Sequence, residues 1–398
     1  MPGPLVPVDE AIAQLCAKAE LLVGTERVGL LAAADRVLAT DIVANANVPP
    51  ADNSAMDGYA VRAADVTKGA TMRVSDRIPA GTVGQTLLEG TAARIFTGAP
   101  MPDGADSVVI QEDTDVDGDQ LTVHVEPQAG DHVRSAGQDI EAGSKILSKG
   151  RRLRPQDIGL IASVGCHEVE VYKRLRVGVM STGDELVDPP APLGPGKIYN
   201  SNHYTLQSLI LSLGMEPVDL GMVADSAEAT EQALHLGRQL ADCILSSGGV
   251  SVGEEDHVKA AIEKLGALEL WRLAIKPGKP LAFGRVDQTP FFGLPGNPVS
   301  GFVTFMLIAR PYLLQCQGCS ETDLMMLYAE ADFAVQGGSR REYFRVQVHF
   351  DDAGRGLVRD YRNQGSGVMS SVSWANGLAE VEIGRKIEKG DLVKVMLL

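Results

Sequence analysis

The chain has 398 residues, more than one ordinary core can use, so about two to four domains are expected. With 44% hydrophobic and 22% charged residues it has the composition of a globular protein. A formal net charge of −16 argues against nucleic acid or an anionic membrane as the main partner. The longest apolar run, around Phe302–Ala309, is far short of the roughly 18 residues that a membrane span needs.

Residues 9–23 have a helical period, with Ile12, Leu15, Cys16, Ala19 and Val23 near one face. No basic stretch followed by an apolar run precedes them, so no export signal is expected. Residues 45–55 are a loop rich in Asn, Pro and Asp. Residues 70–149 carry short β-type runs such as Ser107–Ile110 and Leu121–Val125, separated by Gly, Pro and Asp, and predict a small β-rich domain.

From Arg176 strands and helices alternate. Arg176–Met180 is strand-like and runs into Ser181-Thr-Gly-Asp-Glu-Leu186. Residues 203–213 put Leu206, Leu209, Ile210 and Leu213 on one helical face, ended by Gly214. Asp225-Ser-Ala-Glu228 has the form of a capping box. Asp242–Leu245 is a short buried-strand candidate, followed by a glycine- and serine-rich loop at 246–253 and a helix bearing Val258, Ala261, Ile262 and Leu265. Phe291–Leu294 leads into a helix with Asn297 at its N-cap and Pro298 at its first position, which Pro311 is expected to stop. Such alternation predicts a doubly wound parallel sheet with ligands at the carboxyl ends of its strands. Residues 326–398 return to β runs, and no internal repeat is visible.

Five cysteines, at 16, 166, 243, 316 and 319, are sparse and odd in number, which points to reduced thiols in a cytoplasm. Cys316-x-x-Cys319 lacks the second pair a zinc site requires and reads as unligated thiols.

Residues 270–320 hold five bases (Arg272, Lys276, Lys279, Arg285, Arg310) and one acid, Asp287, an island that suits a small anion but also fits chance clustering. The loop through Ser247, Gly248, Gly249 and Ser251 can cradle a phosphate or be a plain tight turn. Glu254 excludes a Walker A loop, and without a G-x-G-x-x-G a nicotinamide cofactor is not expected. Pro295, Asn297 and Ser300 open a helix whose first amides could hold an oxyanion or could simply be well capped. Lys276 and Lys279 flank a Pro-Gly turn and could aim two charges at a tetrahedral dianion, or form an exposed basic turn. Asp184, Glu185, Asp225 and Asp256 fall at or just after strand ends, where carboxylates can gather Mg²⁺ or cap helices. Asp52–Ala60 and Thr91–Pro100 are loops without an evident local purpose.

Taken together, these segments resemble the molybdopterin molybdenumtransferase family, whose relatives include the gephyrin E-domain. The resemblance rests on Asn53-Ser-Ala-Met-Asp-Gly-Tyr-Ala60, Phe96-Thr-Gly-Ala-Pro100, Gly104-Ala-Asp106, Ser181–Leu186, Ser247–Ser251, Lys276–Pro280 and Leu294–Ser300 in this order, extended by Arg340-x-Glu-Tyr343 and Gln364-Gly-Ser366. It implies a multidomain α/β plus β architecture in an elongated homodimer. A discontinuous N-terminal domain would take residues 1–44 and 140–173, and an inserted β-rich domain residues 45–139. An α/β molybdopterin-binding domain would take residues 174–325, and a C-terminal β domain residues 326–398. The implied reaction inserts molybdate into adenylylated molybdopterin and releases AMP with Mg²⁺, and other molybdenum-cofactor assembly proteins are implied as partners.

By the same resemblance Asp225, Ser251 and Asp256 would serve Mg²⁺, and Asp184 and Glu185 would act near the pterin nucleotide or the metal. Lys276, Lys279, Ser300, Arg340 and Ser366 would handle molybdate, and Asp57, Thr97 and Asp139 would cross from the partner subunit. The Gly/Ser loop would meet the pterin phosphate. The sequence departs from the family pattern at Asp35, where Gly is usual, at Ala51, where an aromatic often sits, and at His132 and Gln138, where Asn and Glu are common. The alternatives are a molybdopterin adenylyltransferase, which the hallmark around Asp57 and the flanking domains disfavour, and a non-catalytic dimeric scaffold like the gephyrin E-domain, which intact Lys276, Lys279, Asp256 and Ser300 disfavour.

Overall fold

The computed structural model describes residues 5–249 and 257–398; the expected site residues Ser251 and Asp256 lie outside the described residues. Among the described residues the central sheet has seven strands, in the order Leu5–Val6, Gly266–Leu273, Pro280–Val286, Thr289–Leu294, Cys243–Ser247, Arg176–Thr182 and Glu216–Val223. The last four run parallel, but Pro280–Val286 is antiparallel to both its neighbours, so the sheet is mixed rather than wholly parallel. The reversal is a two-residue hairpin at Asp287-Gln288, where Asp287 takes the left-handed conformation (φ 52°) that such turns require.

Side-chain alternation along the strands makes two cores. Val177, Val179, Leu245, Phe292 and Leu294 face one side, against the helices Ser201–Ser212 and Pro298–Thr304 and their continuation. Met180, Ile244 and Phe291 face the other, against Ala227–Leu240 and His257–Leu265. Helices therefore cover both faces, as a doubly wound sheet requires.

Two helices differ from expectation. The first is Val8–Cys16, not 9–23. Beyond it the helix ends in a turn, the Ala19 amide donating to the Cys16 carbonyl (3.1 Å), and the Leu22 amide donates to the Cys316 carbonyl (3.0 Å), a bond to another segment rather than up its own helix. The helix that Pro311 should stop instead continues from Pro298 to Cys316. Proline lacks an N–H and its ring clashes with the carbonyl four residues earlier, and here a π-helical turn at Phe305–Ala309 widens the backbone just ahead of it. This 19-residue segment is apolar enough to cross a membrane by composition, yet it is 83% buried as the core helix of the central domain.

Strands Thr25–Gly29 and Glu168–Tyr172 pair, as do Ile42–Val43 and Lys145–Leu147, and enclose Leu38, Leu153, Ile161 and Val171. Asp35 lies in this core's margin at φ 62°, and His132 in the inserted region at φ 55°. Both departures from the family pattern thus fall where left-handed backbone favours Gly or Asn. Between the paired segments, residues 53–134 build a six-stranded sheet and a small two-stranded ribbon. Leu5–Val6 and Val8–Cys16 pack on the central domain, so the N-terminal segment is shared between two cores.

In the C-terminal region Arg341–Phe350 pairs with both Gly356–Asp360 and Gly377–Val381, closing five strands into a small barrel around Val346, Val358, Val393 and Val395. Ile275–Lys276 adds to it in parallel, opposite Arg341 and Glu342.

One buried charge cluster ties the first domain. Burial of Asp157 opposes its ionisation, but hydrogen bonds from Arg151 (3.0 Å), the Arg154 side chain (3.2 Å) and the Arg154 amide (2.9 Å) more than reverse that, holding its carboxyl at about 2 against an ordinary 3.8. A depressed carboxyl stabilises the fold above its unfolded value and loses that contribution as pH falls. Asp157→Asn is therefore expected to cost on the order of 2 kcal/mol at neutral pH. In urea melts the gap to the parent should stay constant above about pH 4 and narrow below it.

Candidate functional site

A cleft of about 1360 Å³ opens where Arg176–Thr182, Cys243–Ser247 and Thr289–Leu294 end, and the C-terminal barrel forms its far wall. Ligands of open α/β sheets bind at this edge because the loops there are free of the ladder and helix amides point into them.

Lys276, Lys279, Arg272 and Arg340 all line the cleft, as do Ser247, Gly248, Gly249, Pro295, Asn297, Ser300 and Ser366. The loop holding the lysines is pressed against the helix that starts at Pro298. Gly278 (φ 108°) leaves so little space that an added Cβ would stand 2.6 Å from Thr304 Oγ1 and 3.4 Å from the Ser300 carbonyl. The Gly/Ser loop meets the same helix start, since Asn202 Nδ2 donates to Ser247 Oγ (2.8 Å) and to the Gly296 carbonyl (2.7 Å). Accepting from Asn202 leaves the Ser247 hydroxyl proton available to a ligand.

Three expectations are corrected by the hydrogen bonding. The amides at the helix start are not all free: Val299 N–H donates to the Ser366 carbonyl (3.0 Å). Asn297 occupies the N-cap, but its side chain makes no capping bond and stands in the cleft wall. Gly248 (φ 91°) donates its amide to the Leu294 carbonyl (3.0 Å), so that amide is not available to a ligand. Ser300 is buried at the helix start.

The two lysines differ. Lys276 Nζ lies 3.0 Å from Glu342 Oε2, a carboxylate only 9% exposed. Lys279 makes no ion pair with any described residue. Arg340 Nη1 donates to the Ile275 carbonyl (2.9 Å), which fixes the guanidinium beside the lysine loop.

Asp225 and Glu185 bring carboxylates to the cleft. Ser226, not Asp225, caps the helix Ala227–Leu240, its hydroxyl accepting from the Ala229 amide (3.3 Å). The Asp225 carboxylate is thus not used by the helix, while its amide donates to Asp184 Oδ1 (3.3 Å). Among the described residues no three His, Cys, Asp or Glu side chains form a cluster able to hold a metal. Asp225 is still a suitable donor for Mg²⁺, which takes oxygen ligands and is commonly held by one or two carboxylates plus substrate phosphate and water.

Asp57, Thr97 and Asp139 are not in this cleft. The Thr97 amide and hydroxyl both donate to Asp57 Oδ1 at 2.8 Å, and these bonds, aided by Arg94, hold the Asp57 carboxyl below its usual range. Asp139 is exposed where the inserted region rejoins the first domain, its amide donating to the Val48 carbonyl (3.0 Å).

Sequence reasoning missed Asn202, Asn200 and Glu342. Asn200 and Asn202 stand at the start of Ser201–Ser212, where Asn is ordinarily explained by capping alone, and Asn200 does cap that helix. Glu342 lay within the quoted Arg340-x-Glu-Tyr343 segment; a lone acid among bases was the available signal.

The close approach at Gly278 makes a test. Gly278→Ala is expected to cost roughly 1–3 kcal/mol from positive φ and the clash together. In chemical denaturation, adding Thr304→Ala should restore the part owed to the clash and leave the backbone part.

The MoeA N-terminal region (domain I and II) matches residues 6–165, the probable molybdopterin binding domain residues 178–315, and the MoeA C-terminal region (domain IV) residues 328–398. The molybdopterin molybdenumtransferase of Haemophilus influenzae is 41% identical over 316 residues, 79% of this chain and 78% of that protein. Those of Nostoc sp. (36% identical; 94% of this chain, 89% of the relative) and Bacillus subtilis (34% identical; 99% and 94%) match more of the length. A crystal structure of the molybdopterin biosynthesis MoeA protein from Pyrococcus horikoshii, 29% identical, superposes with a TM-score of 0.85 over 99% of this chain and 100% of that one. On the sequence matches, the shared architecture and a cationic cleft at the expected edge of the α/β sheet, the chain belongs to the molybdopterin molybdenumtransferase family.

Proposed function

We propose that this protein inserts molybdate into adenylylated molybdopterin and releases AMP. The observation that carries the reading is the convergence of residues 276–279, the helix start at 298–300 and the barrel residues Arg340 and Ser366 on one cleft. A tetrahedral dianion must be held beside an already anionic pterin phosphate, and four cations within an acidic body offset that repulsion.

In this reading Lys279 and Arg340 attract and orient the oxyanion, and Ser300 supplies a hydroxyl donor. Lys276 takes part while Glu342 limits where its ammonium can go. Ser247 and Gly249 donate to the pterin phosphate. Asp225, with Ser251 and Asp256, would hold Mg²⁺, which when bound offsets charge developing at phosphorus. Glu185, which lines the cleft, would then accept a proton from water, with Asp184, which does not line it, accepting from the Asp225 amide beside it. Asp57, Thr97 and Asp139 would act on the cleft of the partner in a homodimer, a reading supported by their position outside the cleft of their own chain. The same reading places the enzyme in the cytoplasm beside other molybdenum-cofactor assembly proteins.

Purified protein with Mg²⁺ and adenylylated molybdopterin should release AMP in proportion to added molybdate. Consumption of ATP instead would identify an adenylyltransferase, and no turnover a scaffold. The lysines should separate in paired titrations and melts. Lys279→Ala is expected to weaken molybdate binding by about tenfold or more at unchanged stability. Lys276→Ala should also lower stability, by on the order of 1–3 kcal/mol, because it strands a buried carboxylate. Equal molybdate affinity in Lys279→Ala and the parent would remove that residue from the site.

A further inference from the structure

Arg345 is the bulkiest of the fully buried side chains among the described residues, 1% exposed, and none of those residues places a carboxylate within ion-pair distance of it. Burial pushes its guanidinium down to about 10, so it is still a cation at neutral pH. An unpaired charge buried between the outer face of the barrel and the helix Met369–Trp374 is costly, and packing alone would be met by an apolar residue of similar size. What the guanidinium touches gives its use.

Nε donates to Ser371 Oγ (3.1 Å), Nη1 to the Tyr343 carbonyl (3.1 Å) and Nη2 to the Gly365 carbonyl (3.3 Å). The Arg345 backbone grips the same turn, its amide donating to Gln364 Oε1 (2.9 Å) while Gln364 Nε2 donates back to the Arg345 carbonyl (3.0 Å). Gln364, Gly365 and Ser366 all line the cleft. In a trans peptide the carbonyl and the following N–H point in opposite directions. Drawing the Gly365 carbonyl onto the buried guanidinium therefore turns the Ser366 N–H away from it. No described residue accepts from that amide, while the Ser366 carbonyl is held by Val299 N–H at the helix start.

We propose that Arg345 is a positioning residue for the oxyanion: it sets the Gly365–Ser366 peptide so that the Ser366 amide donates into the cleft, and it places a fixed positive charge one peptide behind that donor. The proposal rests on the reading of the cleft as a molybdate site. It assigns to a residue with no access to the substrate an effect on oxyanion affinity rather than on turnover.

The test is calorimetric titration of the full chain with sodium molybdate, alongside thermal melts and the molybdate dependence of AMP release. Arg345→Met is expected to weaken molybdate binding about tenfold in protein that is folded at the titration temperature. KM for molybdate should rise while kcat at saturation stays within about twofold. Arg345→Lys, which keeps the charge but not the three-way fork, should fall between parent and Arg345→Met. Ser371→Ala removes the Nε acceptor together with the bond from Ser371 Oγ to the Val368 carbonyl (2.6 Å), lies outside the cleft, and should weaken binding a few-fold; it carries the test if Arg345→Met does not fold. Melting points that drop with unchanged molybdate affinity in Arg345→Lys and Ser371→Ala would overturn the proposal and leave Arg345 a purely structural group. A parent protein that binds no molybdate would overturn the reading of the cleft itself, and the proposal with it.

Discussion

The cleft depends on a clasp made of backbone. The C-terminal barrel is joined to the carboxyl edge of the central sheet by the ladder of Ile275–Lys276 with Arg341–Glu342 and by the bond from the Val299 amide to the Ser366 carbonyl. Arg341 adds a charged strap, donating to both carboxylate oxygens of Asp9 on the first helix at 2.9 Å. Residues 274–279 leave one central strand and enter the next, and on the way they serve as an edge strand of the barrel. A single loop is thus held by two sheets, and its two lysines inherit the rigidity of both.

The charge distribution follows from that arrangement. The chain carries −16 overall, and a small anion approaching most of its surface is repelled. At the clasp the balance reverses, because Arg272, Lys276, Lys279 and Arg340 gather from segments far apart in sequence. Glu342 is a buried acid placed against Lys276, which it restrains in position, while Lys279 makes no ion pair with any described residue. The site therefore combines a steady point charge with a tethered one, an arrangement that can select an anion by where its oxygens sit as well as by its charge.

Much of this was legible in the sequence, and the failures have physical causes. Local patterns located three parallel strands of the α/β region and the helices around them, because buried runs and helical period survive in elements such as Cys243–Ser247 and Ser201–Ser212. The ordered motifs located the loops that line the cleft. Gly266–Leu273 and Pro280–Val286 were not read as strands: the basic Pro-Gly turn between them drew the reading, and the two-residue turn at 287–288 that sets their antiparallel direction carries no glycine. Pro311 was misjudged because a π turn, which leaves no mark in composition, made room for it. The partners of Val299, Asn202 and Lys276 were invisible for a different reason, since each depends on a segment tens of residues away. Arg345 was passed over because a charged residue in a β run ordinarily faces solvent.

The excursion that carries Asp57 and Thr97 begins and ends at one neck, where Val48 and Ile140 face each other and the Val48 carbonyl accepts from both the Asp139 and Ile140 amides. Two adjacent strands are the whole covalent attachment of the six-stranded unit. A lever is built into that topology. A few degrees of change in the torsions on either side of Val48 swing the far end of the unit through a much larger arc without disturbing either core. Asp139 sits at that neck, so its placement is set by the same pair of bonds that joins the two crossings.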